Sequence, residues 1–114
     1  MPATSAEIIT ILNMKPIYSS IIDEPDILEL VAMFVAEMPE RIARFDSLLE
    51  SDDNDNLSRF AHQLKGSAGS YGFAEVSAAA AEVVTAIKTQ QPKNQIKTLT
   101  KNLIELCNSC KIKE

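Results

Sequence analysis

From Ile27 to Cys110, apolar residues return at intervals of three and four, and no useful length alternates apolar with polar. That is the helical rhythm, which makes a stripe that must be buried against a neighbour. It confines the chain to an all-α fold. The first pattern opens at Asp26, with Glu29 three residues on in the manner of a capping box. It carries Ile27, Val31, Phe34, Met38, Ile42, Phe45 and Leu48 or Leu49. Pro39 falls inside it and removes a backbone donor. Because the stripe stays in phase past the proline, one long kinked helix to about Glu50 is expected.

Ser51-Asp52-Asp53-Asn54-Asp55 is polar turn material that supplies caps for the next helix. That helix is expected from about Asp55 to Tyr71, with Leu57, Ala61, Leu64, Ala68 and Tyr71 as its stripe. Gly72 should end it in the left-handed conformation. A further helix begins near Phe73 or Ala74 and carries Val76, Ala80, Val83 and Ile87. Its run Ala78 to Ala81 allows a neighbouring helix to come close. After a turn at Gln90-Gln91-Pro92, the last helix carries Ile96, Leu99, Leu103, Leu106 and Cys110. Four helical patterns joined by short turns predict an antiparallel four-helix bundle with an extra N-terminal helix or arm.

The arm is assigned to residues 1–25 and the bundle to 26–114, within one domain. In the arm, Ser5 is positioned to cap a short amphipathic helix of Ile8, Ile9, Ile11 and Leu12. Lys15-Pro16 interrupts it, because the residue before a proline avoids the helical region. Pro16 to Asp23 is then expected to pack as an extended segment or a single turn, a lid on the end of the domain.

The composition narrows the function classes. A length of 114 residues suits one domain, and a hydrophobic share of 46% can build a core. A net charge of −5 argues against a nucleic-acid partner. No apolar run nears the ~20 residues that span a bilayer, and the start lacks the basic and apolar regions of a secretory leader. A cytoplasmic monomer without membrane contact is expected. Cys107 and Cys110 form a Cys-x-x-Cys, a spacing that elsewhere serves redox or metal chemistry. Here it stands at the end of a helical pattern with no second Cys pair. Packing as small buried hydrophobes is the expected role, with no metal site.

What packing does not explain is gathered between Phe60 and Phe73, which hold the only histidine, His62, and all three glycines. At about 100° per residue from the stripe, His62 lies roughly 140° away, Gly66 about 180°, Gly69 about 120°, Lys65 about 80° and Arg59 about 200°. An interior helical glycine costs roughly 1 kcal/mol relative to alanine. Two of them on the histidine's face have no expected packing benefit inside the monomer. They do clear side chains from around the imidazole. A neutral imidazole is a good nucleophile near neutral pH, able to attack phosphorus and form a phosphoramidate. Lys65, one turn on, offers a compact positive charge for a phosphoryl group. No nucleotide-binding glycine loop of either kinase type occurs. His62 is thus able to receive and hand on a phosphoryl group, in a chain with no motif for binding ATP.

At these residues the chain resembles the histidine-containing phosphotransfer (HPt) domains of multistep two-component phosphorelays. The family motif His-x-Leu-Lys-Gly-Ser-Ala, followed after a short stretch by Gly, stands here as His62-Gln63-Leu64-Lys65-Gly66-Ser67-Ala68-Gly69-Ser70-Tyr71-Gly72. Phe34, Met38-Pro39 and Arg41-Ile42 resemble the family's pattern in the preceding helix. The resemblance implies a four-helix bundle in which His62 is phosphorylated, Lys65 stabilises the phosphate and Gly66 leaves the ring accessible. Gly66, Gly69 and Arg59 would lie on the docking face for a receiver domain. The partners implied are response-regulator receiver domains and a hybrid histidine kinase. No cofactor is expected in this chain, and magnesium is expected on the receiver. Tyr71 and Phe73 stand where family members commonly have Leu and Ala, and their bulk is expected to adjust the third helix against the fourth. Two other readings fit the same residues: a receiver-docking domain that transfers nothing, and a phosphorylation domain cut from a chemotaxis-type histidine kinase.

Overall fold

The computed structural model describes residues 16–19 and 25–111, so the expected helix at Ile8 to Leu12 lies outside the described residues. Among the described residues five helices follow one another: α1 (Pro25–Ala36), α2 (Met38–Glu50), α3 (Asn54–Ser70), α4 (Ala74–Lys88) and α5 (Lys93–Asn108). Two two-residue strands, β1 (Ile17–Tyr18) and β2 (Cys110–Lys111), pair in parallel, with Ile17 opposite Cys110 and Tyr18 opposite Lys111.

Helices α2 to α5 form the expected bundle. The tight connections at 51–53, 71–73 and 89–92 make successive helices antiparallel. Each packs on the next, and α5 closes the ring against α2. The core runs down the middle through Phe45, Leu57, Leu64, Val76, Val83 and Leu103, all essentially buried. Small residues face each other where α3 meets α4: Ala61 and Ala68 on one side, Ala79 and Ala80 on the other, all buried. That lets the two helices pack more extensively than any other pair.

The expected long kinked helix is instead two. The break is one residue, Glu37, with φ −86° and ψ −4°. Pro39 becomes the second residue of α2, where its missing N–H is one of the donors a helix start leaves unpaired anyway. α1 starts at Pro25, so Asp26 stands inside its first turn and not before it.

Three helix ends share one device. After α3, Phe73 N–H reaches Ala68 O at 2.8 Å and Gly72 N–H reaches Gly69 O, with Gly72 at φ 84°. This is the Schellman arrangement, with the left-handed glycine that the sequence suggested. Asp52 (φ 54°) does the same after α2, and Gln90 (φ 55°) after α4. Asp53 then caps α3 by accepting from Asn56 N–H at 3.1 Å. The Asn56 side chain, and then its backbone N–H, hold the Asp53 carboxyl below its ordinary range.

A side chain in the left-handed region costs about 1–2 kcal/mol, partly offset by its smaller entropy loss on folding than glycine's. Gln90 is exposed, and its side chain makes no hydrogen bond or ion pair among the described residues. Gln90→Gly is therefore expected to raise stability by about 0.5–1 kcal/mol in thermal or urea denaturation. A loss of stability would show that the turn does not hold this conformation in solution.

The last helix corrects two expectations. Its buried side is Ile96, Thr100, Leu103 and Cys107, while Leu99 and Leu106 are only half-buried. Thr100 is tolerated inside because its hydroxyl donates to Ile96 O at 2.8 Å. Cys110 is buried as expected, but past the end of α5, in β2. Both cysteines are free thiols. Burial pushes each up to about 12, helped by the other thiol at Cys107 and by Glu75 at Cys110. Both therefore stay protonated near neutral pH. Among the described residues no cluster of potential ligands could hold a metal ion, and no helix is long and apolar enough to cross a membrane.

The arm segment Ile17–Tyr18 is extended, one of the two conformations expected for it. Ile17 N–H donates to Ser109 O at 2.9 Å, and the Ser19 hydroxyl donates to Tyr71 O, just past the end of α3. These bonds tie the arm to the end of the bundle where α3 turns into α4.

Candidate functional site

α3 is held on two sides and open on the third. Its buried face is Leu57, Ala61, Leu64 and Ala68. Phe60 leans toward α2, with its ring 4.7 Å from that of Phe45 and the Arg44 guanidinium 5.8 Å from its centroid. α4 covers the opposite flank. The outward side carries Arg59, His62, Lys65, Gly66 and Gly69, and all five are exposed. The helical phase of the stripe thus brings the five residues singled out from the sequence onto one face.

The two glycines differ. A Cβ built on Gly66 would meet nothing within 4 Å. No neighbour in the domain needs that space, so the glycine only thins the surface one turn beyond the imidazole. A Cβ on Gly69 would come within 3.4 Å of Ser77 Oγ, on the first turns of α4. That hydroxyl donates to Lys65 O at 2.8 Å. A Cβ on Gly69 would thus make ordinary contact with the hydroxyl that ties α4 to the backbone of the histidine helix, where one on Gly66 would meet open space. Neither glycine is required by packing inside the domain, as expected, although Gly69 lies against α4 and Gly66 against nothing.

His62 makes no hydrogen bond or ion pair with the described residues, so both ring nitrogens face outward chemistry. Lys65 likewise has no ion pair among them. A charged Lys65 one turn from an accessible imidazole can attract a phosphoryl group without neutralisation by a neighbouring carboxylate.

A second surface feature lies where α1 meets the C-terminal end of α3. Leu30 and Met33 are exposed on α1, at 44% and 56%. They line a shallow groove with Phe34, Glu37 and Arg41, whose far wall is Ser67 and Tyr71 of the α3 end. Sequence periodicity missed this patch, although a signal was there. Leu30 and Met33 are apolar yet fall outside the stripe of Ile27, Val31 and Phe34.

The site's composition matches a family. The family model of the Hpt domain matches residues 29–109, from the middle of α1 to the residue after α5. This chain belongs to the Hpt domain family. No curated protein and no solved structure matches it. Membership places the chain in phosphorelay signalling, among modules that handle phosphoryl groups and do not use ATP as kinases do. Hpt domains interact with receiver domains and histidine kinases. The helical bundle is the architecture such a domain has.

Proposed function

We propose that this Hpt domain accepts a phosphoryl group on His62 from the phospho-aspartate of one receiver domain and passes it to the aspartate of another. The carrying observation is the exposed His62 beside Gly66, a position where a Cβ would meet open space and where an alanine would stabilise the helix. In the forward step a neutral ring nitrogen attacks the phosphorus of the acyl phosphate. The N–P bond forms, the P–O bond to the aspartate breaks, and the carboxylate leaves with its electron pair. The other ring nitrogen keeps its proton and the ring takes on positive charge. Transfer onward reverses these events on a second receiver.

Lys65 supplies a cation for the phosphoryl oxygens, and Arg59 a second positive charge on the same face. The receiver brings its magnesium, and this chain contributes no cofactor. The exposed pair Leu30 and Met33, in the groove against Ser67 and Tyr71, offers an apolar contact to a receiver that reaches the C-terminal end of α3.

The domain division follows the same reading: an arm over residues 1–25 and the phosphotransfer bundle over 26–114, acting as a monomer. Incubation with a panel of phosphorylated receiver domains tests the reading. At least one should label the protein through a linkage that is labile in acid and stable in alkali, mapping by mass spectrometry to the peptide that contains His62. A label that maps elsewhere, or survives acid, would overturn the assignment.

A further inference from the structure

Leu30 and Met33 give α1 an exposed apolar side, while Val31 and Phe34 are buried on its other side. Outside those buried side chains the contact of α1 with the bundle is sparse, and the largest share of it is with α2. The last turn of α1 has no basic residue to balance the carbonyls that every helix end leaves unpaired. One side chain from the next helix takes that place. Arg41 Nη1 donates to Phe34 O at 2.8 Å, one of the last carbonyls of α1. Its Nη2 pairs with Glu37 Oε2 at 2.9 Å, across the one-residue break. The same guanidinium lies 4.4 Å from the centroid of the Phe34 ring.

Phe34 carries the connection onward. Its ring lies 5.2 Å from that of Tyr71 and is stacked on that of Phe73 at 5.6 Å. Tyr71 and Phe73 flank the left-handed Gly72, where the histidine helix ends. The chain of contacts therefore runs from Arg41 through Phe34 to the end of α3. On the outer side of α1, in the same groove, stand Leu30 and Met33.

We infer that Arg41 is a positioning residue for receiver docking: its three contacts hold α1 so that Leu30 and Met33 sit in fixed register beside α3. The inference rests on the phosphotransfer reading above. Three simultaneous contacts need a planar fork that bonds at two nitrogens while its face covers a ring. Lysine has the charge but not the fork. Arg41→Lys should thus loosen α1 without creating an unpaired buried charge, since the Arg41 side chain keeps 19% exposure.

Three measurements on the Arg41→Lys protein separate this role from general stabilisation. The first is transfer from the receiver domain that labels the wild type best. KM should rise about tenfold, the equivalent of one charge-assisted hydrogen bond or ring contact, and kcat should stay within about twofold. The second is direct labelling of His62 by phosphoramidate, a small donor that needs no docking face, which should match the wild type. The third is amide exchange, which should quicken over α1 and stay unchanged over α3 to α5. An unchanged KM in a folded protein overturns the inference, and so does an equal fall in phosphoramidate labelling. If no receiver labels the wild type, the phosphotransfer reading fails together with the docking role. Exchange then still decides whether Arg41 holds α1 in place.

Discussion

A His62→Gln protein is expected to take up no phosphoryl group from a receiver that labels the wild type, while its unfolding curve stays within about 0.5 kcal/mol. Both halves follow from the same observation. His62 is exposed and bonded to none of the described residues, so its loss breaks nothing in the fold. Glutamine keeps similar polarity but has no nucleophilic ring nitrogen. Gly66→Leu makes the companion case, with opposite signs for stability and function. The added side chain meets open space, so helix propensity alone should raise stability by roughly 0.5–1 kcal/mol. Transfer from a receiver should fall about a hundredfold, because the leucine stands where the partner surface has to approach the imidazole and displaces it by an ångström or more. Labelling by phosphoramidate should fall far less. If Gly66→Leu transfers at the wild-type rate, the bare strip is not a docking surface, whatever His62 does.

The buried stripes were legible because helical periodicity is local: the sequence pattern names Phe45, Leu57, Leu64, Val76 and Leu103 without reference to any neighbour. Gly72 was legible for the same reason, since a helix stop needs only its own residue and the turn before it. The split between α1 and α2 was not. Glu37 keeps right-handed helical dihedrals, its N–H still donates to Met33 O and its carbonyl still accepts from Arg41 N–H, and the donor missing at the break is that of Pro39, so the stripe runs through in phase. A phase argument sees where side chains point and cannot see which carbonyl lost its partner. Cys110 deceived in a similar way, falling on the rhythm of α5 while belonging to a parallel pairing with Ile17, 93 positions earlier. Of the site, the face of α3 was legible. The approach of Ser77 to Gly69 was not, because it depends on where α4 crosses. The apolar patch on α1 was not legible either, because Leu30 and Met33 lie off the buried stripe and a periodicity does not say what an exposed apolar residue faces.

Tyr71 and Phe73 looked, from sequence, like extra bulk pressed between the third and fourth helices. The structure gives that bulk a different partner. Phe73 is fully buried and stacks on Phe34 of α1, with Tyr71 tilted against the same ring. Phe73→Ala is therefore expected to cost about 3–5 kcal/mol, the range for emptying an aromatic site that cannot collapse. A domain of this length has roughly 5–15 kcal/mol in all, so the loss should lower the midpoint of thermal unfolding by well over 10 °C. The backbone is not the cause, since the Phe73 N–H that reaches Ala68 O survives in alanine. Combining the change with Phe34→Ala tests the ring contact itself. The double variant should be less destabilised than the sum of the single ones by about 0.5–1.5 kcal/mol. Because the Arg41 guanidinium also lies against the Phe34 ring, 4.4 Å from its centroid, the Phe34→Ala protein should also reproduce the raised KM of Arg41→Lys. Full additivity would mean that the two rings share a core without coupling. In that case the histidine helix and α1 are held together by something other than this aromatic chain.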